Sequence, residues 1–499
     1  MARPRRTGGG GEVRKPIVGL VVAVLALGGY ATADVYDRVP GILTLDRPTP
    51  LPAPTTPGPS PTLVPLPSPA SALPLLAPMA ADAPEPSQSK LKAALDAAFA
   101  DPALGDSLGV SVRDAATGKA LYARDGATPR VVASAQKILA AAAITSELDP
   151  HETMSTSVRL EAPGELVLVA GGDTLLAEGK GDPEAVAGHA GLADLAEQVA
   201  AGLPAGTPSK VTLRLDMTYA AGPGYPDTPA YPPGWAPGDV ALGFTQSVAM
   251  IGLAKDRPKP YVPSPIDPAA AVLKAFAGEL TTAFGASGPA VTVTDDPATR
   301  AEPVPADATL LGEVRSAAYQ DVLALALDES DNALTENLAR QAALQAGGDG
   351  SFAGNARFVT DRLAKLGFDT SATTLKDTSG LSARQSTTVD LLGEVTAAGL
   401  SGKLPGLGEA LARLPVAGLD GTLHDRFLTG PAHDAAGIVR AKTGTLTGVS
   451  SLVGTTVDAD DRQLMFVVVA DRVPASSGTL AARGALDRAI AVLTACGCR

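Results

Sequence analysis

Val131-Val132-Ala133-Ser134-Ala135-Gln136-Lys137-Ile138-Leu139-Ala140-Ala141-Ala142-Ala143 is the stretch from which the remainder of the chain can be read. Pro129, Val131 and Val132 favour extended chain, and the Ala-rich run after Ser134 has strong helix propensity, so Ser134 is expected at a helix N-terminus. Backbone N–H groups without intrahelical partners gather there with the positive end of the dipole. Both favour an oxyanion formed when the Ser134 hydroxyl attacks a carbonyl. Lys137 follows almost one turn later, so its amine can fold back over that hydroxyl. The pair has the chemistry of a serine nucleophile with a lysine base.

Ser-x-x-Lys alone is a weak signal, because chance supplies it roughly once in a chain of this composition. Ser89-Lys90-Leu91-Lys92 is such a decoy: it follows a Pro-rich tract and opens a polar helix, which leaves Lys92 solvated and charged. Only the Ser134 helix runs on into an apolar segment, where burial can lower a lysine pKa.

Upstream, a basic start precedes the apolar run Ile17 to Leu27 and then Ala31-Thr32-Ala33. That is the pattern of a secretory signal, or of an uncleaved anchor over Ile17 to Ala33, and either exports the body. Residues 1–34 are therefore assigned to a signal peptide or membrane anchor. Residues 35–87 are assigned to a Pro-rich linker whose tracts Pro48 to Pro54 and Pro57 to Pro61 favour extended polyproline II. At 499 residues the chain can hold two or three domains, and its net charge of −13, without a basic patch, gives no footing for nucleic acid. Cys496 and Cys498 are the only cysteines. With no histidine nearby they do not suit a zinc site, whereas a local disulfide fits an exported protein. No cofactor motif is found, and no metal is expected.

Further along, Leu108 to Asp114 and Leu121 to Arg124 flank Ala115-Ala116-Thr117-Gly118-Lys119, a β-hairpin pattern. Strands are expected over Glu165 to Asp173, Ser209 to Asp216 and Ala290 to Thr294, with a helix over Leu192 to Ala201. A loop from Gly222 to Gly238 holds the sole tryptophan, Trp235, expected to plug a domain edge. Helices are expected to resume at Gly312. Strands over Ser450 to Thr456 and Gln463 to Ala470, then a helix over Leu480 to Leu493, should close the chain.

Ser330-Asp331-Asn332 and Lys442-Thr443-Gly444 each occur once, in that order after Ser134-x-x-Lys137. Chance would supply each roughly 0.1 times, so the ordered set is informative. Together these residues resemble the penicilloyl serine transferases, that is, penicillin-binding proteins and serine β-lactamases. The long insertion between the first two motifs makes the chain similar to the class C low-molecular-mass penicillin-binding proteins, the D-alanyl-D-alanine carboxypeptidase/endopeptidase family. Asp377-x-Ser379-Gly380-Leu381-Ser382 and Gly418-x-Asp420-Gly421-Thr422-Leu423 add to the likeness, which covers about residue 89 to the end. Val132 stands where that family often has proline.

The resemblance implies an α/β fold: an α/β/α sandwich with an antiparallel sheet, split by a long, mainly β insertion of one or two domains. The catalytic domain would comprise 88–155 and 310–499, and the insertion 156–309. The implied reaction is acyl transfer from peptidoglycan stem peptides to Ser134 with loss of D-alanine, or cleavage of a peptide cross-link, followed by hydrolysis. Lys137 would be the base, Ser330 the proton relay to the leaving amine, and Lys442 the second cation and carboxylate partner. Asn332, Thr443, Gly444 and Thr445 would bind substrate, with the N–H groups of Ser134 and Thr445 as oxyanion hole. Lowering the Lys137 pKa from ~10.4 towards ~7 gives up about 4–5 kcal/mol of charge stabilisation. The implied partners are peptidoglycan peptides, β-lactams as covalent inhibitors, and the membrane through an uncleaved N-terminus; the implied location is the cell envelope outside the cytoplasm.

Two other readings stay open, a β-lactamase and a non-catalytic β-lactam sensor or wall-binding scaffold. Class A β-lactamases place a Glu with an Asn four residues later to activate the hydrolytic water. Here Glu336, Glu394 and Glu409 are followed at that offset by Arg340, Ala398 and Arg413, which favours the peptidase.

Overall fold

Period-two alternation and apolar runs sort the strands into two five-stranded sheets. The computed structural model describes residues 83–227 and 229–498. The leader at 1–34 and nearly all of the linker at 35–87 lie outside the described residues. Among those residues no helix is long and apolar enough to cross a membrane.

Within the described residues the chain opens with helix α1 (Gln88–Ala98), the hairpin β1 (Leu108–Asp114) and β2 (Ala120–Arg124), and helix α2 (Lys137–Thr145). It continues through β3 (Thr153–Ala162), β4 (Glu165–Val169), α3 (Leu192–Gly202), β5 (Lys210–Asp216), α4 (Pro268–Phe284), β6 (Ala290–Val293) and β7 (Thr309–Ala318). Helices α5 (Tyr319–Asp328), α6 (Asn332–Gln345), α7 (Phe352–Lys365), α8 (Val389–Leu400) and α9 (Pro405–Ala412) follow. Strands β8 (Arg440–Leu446), β9 (Val449–Val457) and β10 (Gln463–Ala470) and helix α10 (Gly478–Thr494) complete it.

The first sheet is antiparallel throughout, in the order β2-β1-β10-β9-β8. β10 is its centre because Leu464 to Ala470 is apolar at every position and can be covered on both faces. Leu464, Phe466 and Val468 enter one core with α1 and α10, while Met465, Val467 and Val469 enter another with α2 and α8. Two helical layers thus sandwich the sheet. Helix α2 is buried from Lys137 to Ile144, so its Leu and Ile side chains contribute about 1.5–3 kcal/mol each by leaving water.

The second sheet, β6-β5-β4-β3-β7, lies within residues 153–318. β4, β5 and β6 run parallel, and β3 is antiparallel to both of its neighbours. α3 and α4 close a third core over it. Sequence reading anticipated α3 but not α4, so this excursion carries as much helix as strand. Gly312, where helices were expected to resume, sits inside β7. Its register with β3 runs from Thr309 opposite Leu160 to Ala318 opposite Thr153, and the helix begins only at Tyr319. Pairing with a strand that weak alternation had hidden overrides local propensity here.

The decoy serine lies on α1, where Lys92 is exposed and pairs with Asp96 at 2.5 Å. At the other end Cys496 and Cys498 form the local disulfide, and the Cys498 carbonyl accepts a hydrogen bond from the Ser87 N–H.

Candidate active site

Ser134 occupies a 3-10 turn, Ala133–Gln136, that leads directly into α2. Ala133 holds a φ of +50°, a left-handed conformation that costs an L-residue about 1–2 kcal/mol. The surroundings hold the turn in place. On one side β8 passes so close that a Cβ on Gly444 would lie 2.7 Å from the Val132 carbonyl oxygen and 3.0 Å from the Ala135 nitrogen. Ser451 on β9 donates a hydrogen bond to that same Val132 carbonyl at 2.8 Å. On the other side Gly380, with φ +87°, presses on the Ala133 carbonyl, where any larger residue would clash.

Lys137 is fully buried, and its Nζ donates to Ser134 Oγ at 3.1 Å, Asn332 Oδ1 at 2.6 Å and the Ser379 carbonyl at 2.8 Å. Asn332 is oriented by its own Nδ2, which donates to the Phe244 carbonyl at 3.1 Å. Two of the three Lys137 partners can only accept. When the amine is neutral, the one group able to donate a proton to its lone pair is therefore the Ser134 hydroxyl. Burial lowers the Lys137 pKa to about 8, against the carboxylates of Asp377, Asp331 and Glu336, which pull it upward.

Lys442 on β8 is also fully buried and donates to the Thr443 carbonyl at 2.9 Å. Burial first, then repulsion from Lys137, drives its pKa well below the ordinary lysine value, with Asp328 opposing. Ser330 sits at φ +59° between α5 and α6. Asp331 caps α6 by accepting from Leu334 N–H at 3.0 Å, and Arg257, reaching in from the second-sheet region, pairs with Glu329 at 2.9 Å and Asp331 at 3.4 Å.

All eight residues singled out in the sequence meet here. Ser134, Ser330, Asn332, Thr443 and Thr445 line one cleft of about 780 Å³. Lys137 and Lys442 lie beneath it, and Gly444 backs the nucleophile turn. Lys442 is not itself on the cleft wall; Thr443 and Thr445 are. Asp239 and Phe244 stand on the side of the 217–267 loops, and Thr479 and Arg483 on the side of α10.

Sequence reading expects Asp377 and Ser379 in a structural turn near the site but misses the rest of the network under Lys137. Glu336, one turn after Asn332 on α6, is wholly buried, and its Oε1 accepts from the N–H groups of Thr378 at 2.7 Å and Ser379 at 2.9 Å. Its other oxygen has no hydrogen bond, and burial together with the charge of Asp377 lifts its pKa to about 7. Asp377 Oδ1 accepts from Gly380 N–H at 2.7 Å and Gln385 Nε2 at 2.9 Å, and Oδ2 from Ser382 N–H at 2.7 Å and Trp235 Nε1 at 3.0 Å. These bonds fix the Ser379 carbonyl on Lys137. The four-residue spacing of Asn332 and Glu336 was an available signal for a shared helix face. Nothing local could have joined Trp235 to a residue 142 positions away.

The D-Ala-D-Ala carboxypeptidase 3 (S13) family model matches residues 91–260 and 254–491. The chain is 34% identical over 494 residues to carboxypeptidase DacB of Mycolicibacterium smegmatis, spanning 97% of this chain and 96% of that one. It is 31% identical over 463 residues to the D-alanyl-D-alanine carboxypeptidase of Actinomadura sp. strain R39, spanning 79% and 83% respectively. Among solved structures it is similar in fold to penicillin binding protein 4 (dacB) from Haemophilus influenzae, with a TM-score of 0.59 at 18% identity over 81% of this chain and 98% of that one.

Proposed function

This chain belongs to the D-Ala-D-Ala carboxypeptidase 3 (S13) family, and from that premise we propose that Ser134, Lys137, Ser330 and Lys442 are its catalytic residues. Asn332, Thr443, Gly444 and Thr445 are its substrate-binding residues. The protein is a serine-type D-Ala-D-Ala carboxypeptidase of the low-mass penicillin-binding class, and it acts on peptidoglycan in the cell envelope.

One observation carries the assignment of roles: the Lys137 amine has two pure acceptors and a single possible donor, the Ser134 hydroxyl. Neutral Lys137 takes that proton as Ser134 Oγ attacks the carbonyl of the penultimate D-alanine. The N–H groups of Ser134 and Thr445 hold the resulting oxyanion. Ser330 relays the proton to the leaving nitrogen, the C–N bond breaks, and D-alanine departs. Water then attacks the acyl-Ser134 ester and regenerates the serine. The cleft-lining hydroxyls of Thr443 and Thr445 contact the substrate carboxylate, and Lys442, buried behind them, favours it through its field when protonated.

β-Lactams acylate the same serine, and the penicilloyl ester persists. Glu336 is not on the cleft wall and spends an oxygen on two backbone N–H groups, which leaves it badly placed to activate a deacylating water. DD-endopeptidase action is the second reading. Past Thr479 and Arg483 the cleft meets a 410 Å³ groove that shares Asp425, Arg426 and Arg483 with it, room for a leaving group larger than one amino acid. A fluorescent penicillin is expected to label the Ser134 peptide with a single stoichiometric burst of lactam loss, while an acylated D-Ala-D-Ala tripeptide turns over and Ser134→Ala does neither. Sustained penicillin hydrolysis, or labelling that survives Ser134→Ala, would overturn the reading.

We further propose that residues 1–34 export the body and anchor it where uncleaved, and that 35–87 act as spacer. On this reading 88–155 and 310–499 form the catalytic domain and 156–309 the insertion. The second sheet supports a separate inserted region, although its first and last strands, β3 and β7, begin at 153 and end at 318 and so overlap both proposed boundaries.

A further inference from the structure

Asn332, Glu336 and Arg340 recur at four-residue spacing on α6. The first two serve the site beneath Ser134, and the third has no such duty. Arg340 is 6% exposed, its Nε makes no hydrogen bond, and among the described residues no carboxylate forms an ion pair with its guanidinium, which lies over the Phe352 ring at 4.6 Å. Glu336 is the acid whose charge reaches it, but Glu336 Oε1 is taken by the Thr378 and Ser379 N–H groups and neither carboxylate oxygen forms an ion pair with the guanidinium. Arginine stays protonated in proteins, so this is a buried cation with no carboxylate in ion-pair contact, an arrangement that normally costs stability.

Arg340 lines a cavity of about 280 Å³, separate from the Ser134 cleft, with walls from Met217, Tyr225, Val248, Met250 and Ile266. The other charges on its wall are engaged in ion pairs of their own. Arg300 pairs with Asp267 at 2.8 Å and Asp295 at 2.6 Å, and Asp267 also caps α4 through the Ala270 N–H at 3.0 Å. One cation without an ion-pair partner, on the wall of a partly apolar, half-open cavity of this size, suits one singly charged, planar anion on a small apolar body. We propose that this cavity is a second ligand site, which binds a small monocarboxylate with its carboxylate on Arg340. The guanidinium fork matches a carboxylate in two parallel hydrogen bonds, and a doubly charged phosphate would carry one charge more than the site offsets.

Free short-chain acids and the C-terminus of a short peptide present the same group, so the test separates them. The full-length protein is titrated calorimetrically with isobutyrate, with N-acetyl-glycylglycine and with inorganic phosphate, and its thermal midpoint is followed with each. One or both carboxylates should saturate at millimolar concentration and raise the midpoint, and phosphate should bind roughly tenfold more weakly or not at all. The carboxylate that binds more tightly identifies the source. Arg340→Met should weaken binding at least about tenfold and Arg340→Lys, which keeps the charge but loses the fork and the ring stacking, by an intermediate factor, with penicillin labelling of both variants reporting an intact fold. Ala221→Phe, which fills the cavity from its wall, should block binding independently. The proposal fails if neither carboxylate saturates, if both bind Arg340→Met as they bind the native chain, or if phosphate binds best.

Discussion

Lys137 is held at a pKa of about 8 by opposed forces, burial against three carboxylates, and this makes the acylation rate a direct readout of its protonation. A base works only when unprotonated, so acylation by penicillin should rise with pH and level off above a midpoint near 8. Glu336 is one of the carboxylates holding that value up. Glu336→Gln keeps an oxygen for the Thr378 and Ser379 N–H groups but removes the charge, so the midpoint should move acidward by up to about one unit. Acylation near pH 7 should then quicken several-fold. A pH profile of the second-order acylation constant checks the sign, and an unmoved or alkaline midpoint would mean that Glu336 acts through its hydrogen bonds alone.

Among the elements, the Asp377–Ser382 turn depends most on a neighbour distant in sequence. Its Asp377 carboxylate takes four hydrogen bonds, one of them from Trp235 in the 222–238 loop. Trp235→Phe keeps the ring packing against Tyr231 but removes that donor, which should cost about 1–2 kcal/mol of turn stability. Penicillin acylation should slow roughly tenfold with little change in the thermal midpoint; equal losses in both would make Trp235 a packing residue only. This contact also marks the limit of what could be read beforehand. The β1–β2 hairpin and the apolar run of β10 carry local signals and form where those signals place them, and the three motifs, each legible locally, are brought to one cleft. β3 and β7 carry weak alternation and become strands by pairing with each other, α4 carries a legible apolar repeat at Val272, Leu273, Phe276 and Leu280 that the reading passed over, and the bonds of Asp377 and Glu336 exist only after distant segments meet.

At the scale of the whole molecule, the sole tryptophan joins the second-sheet region to the turn that supports Lys137. Its fluorescence therefore reports on the contact between the two regions. In a urea titration the fluorescence change and the loss of penicillin labelling should coincide within error, as one cooperative transition. A fluorescence step at lower urea than the loss of labelling would show the second-sheet region detaching by itself. The partners that position Lys137 come from residues 195 and 242 positions further along the chain. A ribosome makes Ser134 and Lys137 long before it makes Asn332 and Ser379, and a chain folding as it emerges carries a serine whose base has nothing to hold it. An enzyme that cuts the wall is dangerous to its maker if it works early. A copy cut short before Asn332 lacks two of the three groups that hold the Lys137 amine.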